Sequence, residues 1–264
     1  MLLTLVWYSS NMSIITIYKK IGETPLEALT RLRQSIPEYK DETLSYAGRL
    51  DPMAAGVMLV LSGDANKERE KYLNLEKDYF SEILFGIGTD TYDTLGLITD
   101  VSTNHFEVQD FEIQLKEKVE EIKGTFSQKY PEYSSKPVDG TPLFMHARAG
   151  KRVSVPSHDV TVFGSELKSV KVIDRVELLS RIEHQISLVK GDFRQAEIIT
   201  MWKEKLEQSE IKEFVVAEVD LSVSSGFYVR QYAHDLGLSL GVPACALSIL
   251  RTRVGEWSVG DCVL

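Results

Sequence analysis

The sequence predicts an α+β fold in which helices and strands are interspersed along the chain. Segments with apolar residues at helical spacing are mixed with segments whose apolar residues alternate at a period of two. With 264 residues, 43% of them hydrophobic, the chain can fill a sizeable core. It contains no clear internal repeat and no Pro/Gly/Ser-rich linker, so we expect one domain over residues 13–264.

Residues 1–12 are expected to form an extension ahead of this domain. They begin with an apolar stretch but lack the basic start and the small-residue cleavage site of a secretory signal. We therefore favour an extension ahead of a second start at Met12 over a signal peptide. No stretch approaches the roughly 18 apolar residues that a membrane helix needs.

The first predicted helix follows Thr24. Pro25 takes the first helical position, and Glu27 stands three residues after Thr24, which is a capping-box arrangement. Apolar residues follow at helical spacing: Leu26, Leu29, Leu32 and Ile36. The next segments, VMLVLSG at 57–63 and YFSEILFGIGTD at 79–90, are typical of strands.

The second half of the chain repeats this mixture. Helices are predicted at 110–124, where Gly124 is the stop signal, and from about 228 to 240. Residues 174–210 predict two more helices hinged at Gly191 and Asp192. Their apolar faces contain Leu178, Leu179, Ile182 and Ile186 on the first helix and Ile198, Trp202 and Leu206 on the second. The segment FVVAEVDLSVSSG alternates apolar and polar residues and predicts a strand.

Charge, cysteine content and missing motifs narrow the function. The net charge of −9 argues against a protein that coats nucleic acid through bulk charge, although a local basic groove remains compatible. Cys245 and Cys262 are too few for a disulfide framework, and no Cys or His pairs have metal-ligand spacing. We therefore expect a cytoplasmic protein without a metal. The motifs G-x-x-x-x-G-K-[ST], G-x-G-x-x-G and H-E-x-x-H are absent.

The stretch YAGRLDPMAAGVMLVL, residues 46–61, places one carboxylate in a turn that leads into a run of aliphatic residues. Asp51 follows Gly48, Arg49 and Leu50 and precedes Pro52. An exposed loop has no use for so many apolar residues, and a buried strand has no use for an unpaired acid. The stretch therefore indicates a functional site.

Three further features carry chemistry. Tyr79 stands at a strand start ahead of a polar turn, although a core tyrosine with a satisfied hydroxyl is the simpler reading. Arg230 lies in the first turn of a predicted helix, where the helix dipole disfavours a cation, so either an anionic partner offsets the dipole or the arginine is at the surface. Residues 130–153 are basic with interleaved aromatics, which suits either RNA or a solvated charged face.

Four motifs occur in a fixed order from about residue 15 to the C terminus. G-x-L-D-P-x-A-x-G-V-L appears at 48–58 with Met58 in the last place, and K-x-Y with G-x-x-T-D-T-x-D-x-x-G appears at 77–96. Q-x-P-P-x-Y-S-A-x-K is matched at Gln128, Pro131, Tyr133, Ser134 and Lys136. S-x-G-x-Y-(I/V)-R with D-L-G appears at 224–237. Together these motifs resemble the TruB-type tRNA pseudouridine synthases.

The resemblance implies a fold and a reaction. The fold would be a large, mixed, mostly antiparallel and bent sheet flanked by helices. The reaction detaches uracil from its ribose and rejoins it through carbon 5, without metal or cofactor. Asp51 would be the catalytic aspartate, Arg230 its paired arginine, and Tyr79 the active-site tyrosine that stacks on the base. An ionised carboxylate can attack the ribose or remove a proton, so acylal and glycal routes both stay open.

The resemblance also implies the T-arm of tRNA as substrate and the uridine at position 55 as target. The enzyme would extrude this base into its pocket, and residues 126–155 would correspond to an insertion that closes on the RNA. The candidate substrate-binding residues are Tyr46, Gly48, Arg49, Lys77, Lys136, Arg148, Lys151 and Arg152. We expect a monomer that needs no protein partner.

Three departures from the family pattern are visible. A histidine usually precedes the catalytic segment, and here Tyr46 is expected to stack in its place. The chain stops just past the catalytic segment motifs, so we expect no C-terminal RNA-binding domain. Residues 174–210 exceed the usual connection, and we expect extra core there, with an RNA grip as the alternative. Rival functions are an RNA-binding or RNA-folding module without catalysis and a synthase for another structured RNA; the joint presence of Asp51, Tyr79 and Arg230 favours catalysis.

Overall fold

The computed structural model describes residues 12–103 and 108–264. Its strands are β1 (Met12–Lys19), β2 (Leu44–Ala47), β3 (Ala54–Gly63), β4 (Lys77–Phe85), β5 (Ile87–Thr89), β6 (Ile98–Val101), β7 (Gly124–Lys129), β8 (Pro137–Val138), β9 (Thr141–Pro142), β10 (Ser157–Asp174), β11 (Glu213–Val223), β12 (Ala244–Val254) and β13 (Trp257–Ser258). Its α-helices are α1 (Pro25–Ser35), α2 (Arg69–Leu73), α3 (Val108–Glu121), α4 (Leu143–Arg148), α5 (Arg175–Ser187), α6 (Gln195–Gln208) and α7 (Val229–Ser239).

One nine-stranded sheet organises these elements. Its order is β1-β3-β12-β4-β11-β10-β7, with β2 also paired to β3 and β13 to β12. The β3–β12 pair is parallel, and the other pairs of this sheet in the described ranges are antiparallel. Register shifts interrupt β10 and β12, and such bulges bend the strand that carries them. The predicted mixed, mostly antiparallel sheet flanked by helices is confirmed.

Helices cover both faces of the centre of the sheet. Strand β11 shows how the sequence achieves this, because its alternation sends side chains to opposite faces. Ala217 and Val219 pack in the cluster that contains the apolar faces of α3 and α7. Phe214 and Val216 pack in a second cluster with the buried faces of α5 and α6. Both clusters contain fully buried side chains, so each face of the sheet packs against a hydrophobic core.

The helix predicted after Thr24 is confirmed as α1. The Glu27 backbone N–H donates to the Thr24 hydroxyl at 3.3 Å, and the Thr24 N–H donates to the Glu27 carboxylate at 2.8 Å. This reciprocal capping box satisfies two donors that a helix N terminus otherwise leaves free.

The helical hairpin predicted at 174–210 is confirmed as α5 and α6. Ile182 and Trp202 are fully buried against Leu84 and Phe214 of the sheet. The hairpin therefore contributes to the core, as expected. No helix of residues 12–103 and 108–264 has the length and apolar character needed to cross a membrane.

Several predicted boundaries were wrong. The strand predicted at 79–90 is two strands, because Gly86 has a φ of +98° and breaks the chain direction between β4 and β5. The helix predicted to stop at Gly124 ends at Glu121, and Gly124 begins β7. Residues 126–129 are paired within β7, so the excursion from the sheet starts after Lys129. Of the expected extension at 1–12, only Met12 lies within the described residues, where it begins β1.

Candidate active site

Asp51 lies in the connection between β2 and β3. Gly48 has a φ of +81°, a conformation that favours glycine, and it turns the chain away from β2. Leu50 and Met53 on either side are each 4% exposed, so they anchor the connection in the core. The Ala54 N–H donates to the Asp51 carbonyl at 3.0 Å and closes the turn. The Asp51 side chain remains 34% exposed.

Arg230 approaches this carboxylate from the first turn of α7. Its Nε donates to Asp51 Oδ2 at 2.8 Å. Its Nη1 donates to the Thr91 carbonyl, and its Nη2 donates to the Tyr133 carbonyl at 3.4 Å. The guanidinium is buried, with only 4% of the side chain exposed. Three separate segments are therefore joined at one arginine, and Asp51 Oδ1 has no hydrogen-bond donor among the described residues.

A second carboxyl group, that of Asp93, lies next to Arg230. Asp93 Oδ2 lies 3.5 Å from Arg230 Nε, and its Oδ1 accepts from the Thr91 hydroxyl at 2.7 Å and from the Leu95 N–H at 3.0 Å. Burial raises the pKa of Asp93 above its ordinary value, although Arg230 and Thr91 act in the opposite direction. Burial would lower the pKa of Arg230, but Asp51 and Asp93 raise it. The anionic partner expected at the start of α7 is therefore present twice.

Two cavities meet at Asp51 and Arg230. One, of about 340 Å³, is lined by Tyr79, Lys77 and Tyr228 among others. The other, of about 450 Å³, is lined among others by Tyr46 and Phe144. Both volumes fall in the usual range for small-molecule sites, roughly 300–1,000 Å³. The carboxylate is thus reachable from two connected compartments.

Most of the predicted site residues come together here. Tyr79, at the start of β4, is 8% exposed and lines the smaller cavity with Gly48. Arg49 lines both cavities and donates to the Ser135 hydroxyl, and its Nη2 lies 3.5 Å from the Tyr46 hydroxyl. Arg148 lines the larger cavity. The burial of Tyr79 is compatible with a core residue as well as with a base-stacking one.

Lys77 has a different contact from the one expected. It lines the smaller cavity, but its ammonium group donates to the carbonyls of Leu73, at 2.7 Å, and Leu75, at 2.5 Å. Burial, with a smaller effect from the nearby Arg251, lowers the pKa of Lys77 to about 8. The structure therefore shows Lys77 tying the chain after α2 to the start of β4.

Three basic residues of the 126–155 segment lie outside both cavities. The Lys136 ammonium stands 4.9 Å from the centre of the Tyr130 ring. Lys151 and Arg152 are exposed on the surface after α4. The sequence of this segment does not determine which of its basic side chains point toward Asp51. The RNA contact expected of these three residues stays a prediction.

Sequence reasoning missed four residues at the centre. Thr91 and Asp93 were visible within T-D-T-x-D, and their spacing from a buried strand could have identified them as partners of Arg230. Tyr133 was visible only as part of a matched motif. Arg194, which lines the larger cavity from the turn between α5 and α6, has no signal in the sequence. Within the described residues, no group of three or more His, Cys, Asp or Glu side chains is arranged to hold a metal.

Comparison with known proteins identifies the family of this chain. Residues 38–193 match the family model described as TruB family pseudouridylate synthase (N terminal domain). The chain is 29% identical over 250 residues to tRNA pseudouridine synthase B of Bordetella avium, with 95% of this chain and 84% of that protein covered. It is 31% identical over 222 residues to the protein of the same name from Malacoplasma penetrans, with 84% and 77% covered.

Among solved structures, the chain is similar to one in a crystal structure of a Cbf5-Nop10-Gar1 complex. The TM-score is 0.53 at 18% identity, and the match covers 93% of this chain. It covers 49% of the solved chain, so this chain spans about half of its length. At this identity the similarity concerns the fold, and it supports the predicted fold class.

Proposed function

The chain belongs to the TruB family of pseudouridylate synthases, and we propose that it isomerises a uridine of tRNA to pseudouridine with Asp51 as the catalytic aspartate. The observation that carries the proposal is the position of this carboxylate. It is fixed through Oδ2 by a buried arginine at 2.8 Å, and it is exposed where two cavities meet. An oriented carboxylate next to an open compartment can react with a bound nucleoside.

The reaction breaks the bond between N1 of uracil and C1′ of the ribose and forms a bond between C5 and C1′. C5 then loses its proton to solvent and N1 carries a proton in the product, so the nucleoside keeps its composition overall. Asp51 either attacks C1′ or removes a ribose proton while the glycosidic bond breaks. In both routes one oxygen must reach the sugar, and Oδ1 has no hydrogen-bond donor among the described residues. Arg230 holds the other oxygen in place.

The smaller cavity is proposed to receive the uracil. Tyr79 and Tyr228 lie in its lining with Asp51, so a base entering it meets aromatic side chains close to the carboxylate. Burial and the nearby Asp51 raise the pKa of Tyr228 to about 12, so its hydroxyl stays protonated and can donate a hydrogen bond. Extrusion of the base costs a few kcal/mol of lost stacking, which stacking against these rings would partly offset.

The proposed target is the uridine at position 55 in the T-arm, and the 126–155 segment is proposed to contact the phosphates. The exposed side chains of Lys151 and Arg152 fit such contacts, which position RNA without reading its sequence. Tyr46 lines the larger cavity next to Asp51, which supports a stacking role in place of the family histidine.

We further propose that residues 13–264 act as one catalytic domain, as a monomer in the cytoplasm and without a protein partner. All the strands except the short β5–β6 and β8–β9 ribbons join a single sheet in the described ranges, which supports one domain. The large apolar side chains that are exposed there are scattered over several elements rather than gathered on one face, as expected for a monomer. Both cysteines are free, which suits a reducing compartment.

The test is tritium release from a tRNA transcript labelled at carbon 5 of uridine. Wild-type protein is compared with Asp51→Asn, and the transcript with one that lacks the uridine at position 55. Release should disappear in both comparisons, while Asp51→Asn should bind the transcript within about tenfold of wild type, because phosphate contacts dominate affinity. Binding without release would favour an RNA-binding module, and release that survives loss of position 55 would indicate another target.

A further inference from the structure

The turn between α5 and α6 carries an unusual backbone conformation at Arg194. This residue has a φ of +63° and a ψ of 26°, which is the left-handed region that L-residues with a Cβ seldom adopt. Arg194 also precedes the first turn of α6 as its N-cap, although its side chain makes no capping hydrogen bond. A strained backbone position persists only when surrounding contacts hold it, and capping by the side chain is not one of them here.

The Arg194 side chain joins two segments that flank Asp51. Its Nη1 donates to Asp90 Oδ2 at 2.8 Å and its Nη2 to Asp90 Oδ1 at 3.3 Å, so the pair is bidentate. The guanidinium also lies 4.8 Å from the centre of the Tyr133 ring. Both side chains of the ion pair are only 20% exposed, which limits screening by solvent. One residue of the hairpin thus contacts both the 89–96 turn and the 126–155 segment.

The same hairpin reaches these two segments at further points. The indole N–H of Trp202 donates to the Gly96 carbonyl at 3.3 Å, which holds the far end of the 89–96 turn. Arg148 of α4 donates through Nη2 to the Asp192 carbonyl at 2.7 Å. The hairpin is therefore bound to the 89–96 turn at both ends and to the 126–155 segment at two places.

Both residues that Arg194 contacts are next to groups that hold Arg230. Asp90 is followed directly by Thr91, whose carbonyl accepts from Arg230, and Tyr133 supplies the second backbone carbonyl for the same guanidinium. A shift of either segment would move an acceptor of Arg230 and, through Arg230, the carboxylate of Asp51. Small misplacements of reacting groups cost large factors in rate.

We infer that Arg194 is a positioning residue: it ties the α5–α6 hairpin to the 89–96 turn and the 126–155 segment and so holds Arg230 and Asp51 in register. The inference rests on the proposed synthase function for its effect on rate. The tie itself is a property of the folded chain without RNA. The hairpin therefore has two roles, as core on its sheet-facing side and as a clamp at its turn.

The test compares Arg194→Ala with Arg181→Ala, a matched control in the same hairpin. Arg181 makes a bidentate pair with Glu82 of the sheet and does not line either cavity at Asp51. Both substitutions remove one partly buried arginine–carboxylate pair. Arg194→Ala should lower the single-turnover rate of tritium release at saturating transcript about 10- to 100-fold, with transcript affinity changed less than about threefold. Arg181→Ala should leave the rate unchanged.

A second measurement needs no RNA and no activity. Trypsin cleavage after Lys151 and Arg152, measured on the folded protein and located by mass spectrometry, reports opening of the 126–155 segment. Cleavage should be faster by about tenfold in Arg194→Ala and unchanged in Arg181→Ala. Arg194→Lys keeps a charge near Asp90 and Tyr133, so it should recover part of both losses; it also replaces Arg194→Ala if that variant does not fold.

The remaining outcomes also decide the inference. Equal cleavage and equal rates for the two alanine variants would overturn it. In a double-mutant cycle with Asp90→Asn, which keeps an oxygen for the Leu97 N–H, the two losses should not add if Arg194 acts through Asp90; full additivity would count against it. If the wild-type protein releases no tritium from any transcript, the proposed function fails, and the cleavage comparison alone tests the clamp.

Discussion

Replacement of Arg230 by lysine separates the shape of this side chain from its charge. Arg230 makes three hydrogen bonds in different directions, to Asp51, Thr91 and Tyr133. A planar guanidinium can do this because its donors diverge from one rigid fork, whereas an ammonium group is a single point. Arg230→Lys keeps the positive charge between Asp51 and Asp93 but cannot reach all three acceptors. We therefore expect a large loss of activity without loss of the charge.

The magnitude follows from the bonds that are lost. A hydrogen bond to a charged group contributes about 1.5–3 kcal/mol, and lysine would forfeit roughly two of the three. Allowing for relaxation, the free energy of unfolding should fall by about 3 kcal/mol, which lowers the Tm of a domain of this size by about 6–12 °C. Because Asp51 loses its fixed orientation, the rate of the chemical step should fall about 100-fold or more.

The assay is single-turnover tritium release at saturating transcript, measured well below the Tm of the variant. Thermal unfolding by circular dichroism supplies the stability change. Arg253→Lys is the control, because Arg253 pairs bidentately with Asp78 outside both cavities. It loses a comparable fork contact and should keep its rate. A rate for Arg230→Lys within about threefold of wild type would refute the reasoning, because orientation of the carboxylate would then not depend on the fork.

Three further predictions follow from other parts of the fold. Gly56→Ala would bring a Cβ to 2.2 Å from the Arg251 carbonyl oxygen. The free energy of unfolding, measured by denaturant titration, should therefore fall by about 3 kcal/mol. Gly140→Ala shares a positive φ, of +75°, but meets nothing within 4 Å, and it should lose only about 1 kcal/mol in the same denaturant titration. Three exposed or half-exposed basic residues of the 126–155 segment are expected to contact phosphates. Their replacement by alanine should make the fall of the logarithm of the RNA association constant with the logarithm of salt concentration less steep by about 2–3. An unchanged slope would show that these residues do not contact the RNA. These three are Lys136, Lys151 and Arg152. Finally, the pKa of Lys77 is about 8 in the folded state, against 10.5 for an ordinary lysine. Between these two pH values the unfolded chain therefore holds a proton on Lys77 that the folded chain has lost. The free energy of unfolding of the wild type then rises with pH. Lys77→Met lacks this rise, and urea titrations at pH 7.5 and pH 10 should show the wild type gaining up to about 3 kcal/mol over the variant; an equal difference at both pH values would contradict the lowered pKa.

Local sequence signals predicted the elements well but not their ends. The capping box at Thr24 and the period-two alternation of β11 each depend on neighbouring residues, so they could be identified from the chain alone. The break at Gly86 could not, because a glycine inside a strand pattern is equally compatible with a continuous strand. Similarly, Gly124 was a plausible helix stop, but pairing with β10 assigned it to β7.

The same distinction applies to the site. Asp51 could be identified because a carboxylate directly before an aliphatic strand is unfavourable without a partner. Arg230 could be identified because the helix dipole disfavours a cation at a helix start. Lys77 could be recognised as a motif residue, but its contact with the carbonyls of Leu73 and Leu75 depends on how the chain after α2 folds back. Arg194 lies 104 residues from Asp90 in sequence, and no local pattern links them.

The placement of Arg230 explains why two carboxylates are needed at this site rather than one. A cation in the first turn of a helix is opposed by the dipole at a cost of about 0.3–1 kcal/mol, and removing it from water adds several kcal/mol. Asp51 alone would offset part of this cost, but it is 34% exposed and must keep an oxygen available for the substrate. Asp93 is buried, bonded to Thr91 and Leu95, and 3.5 Å from Arg230, so it offers a second countercharge, although its burial raises its pKa. The division leaves Asp51 free to react while Arg230 stays charged, and it makes Asp93→Asn a variant that should reduce the rate without touching the reacting carboxylate.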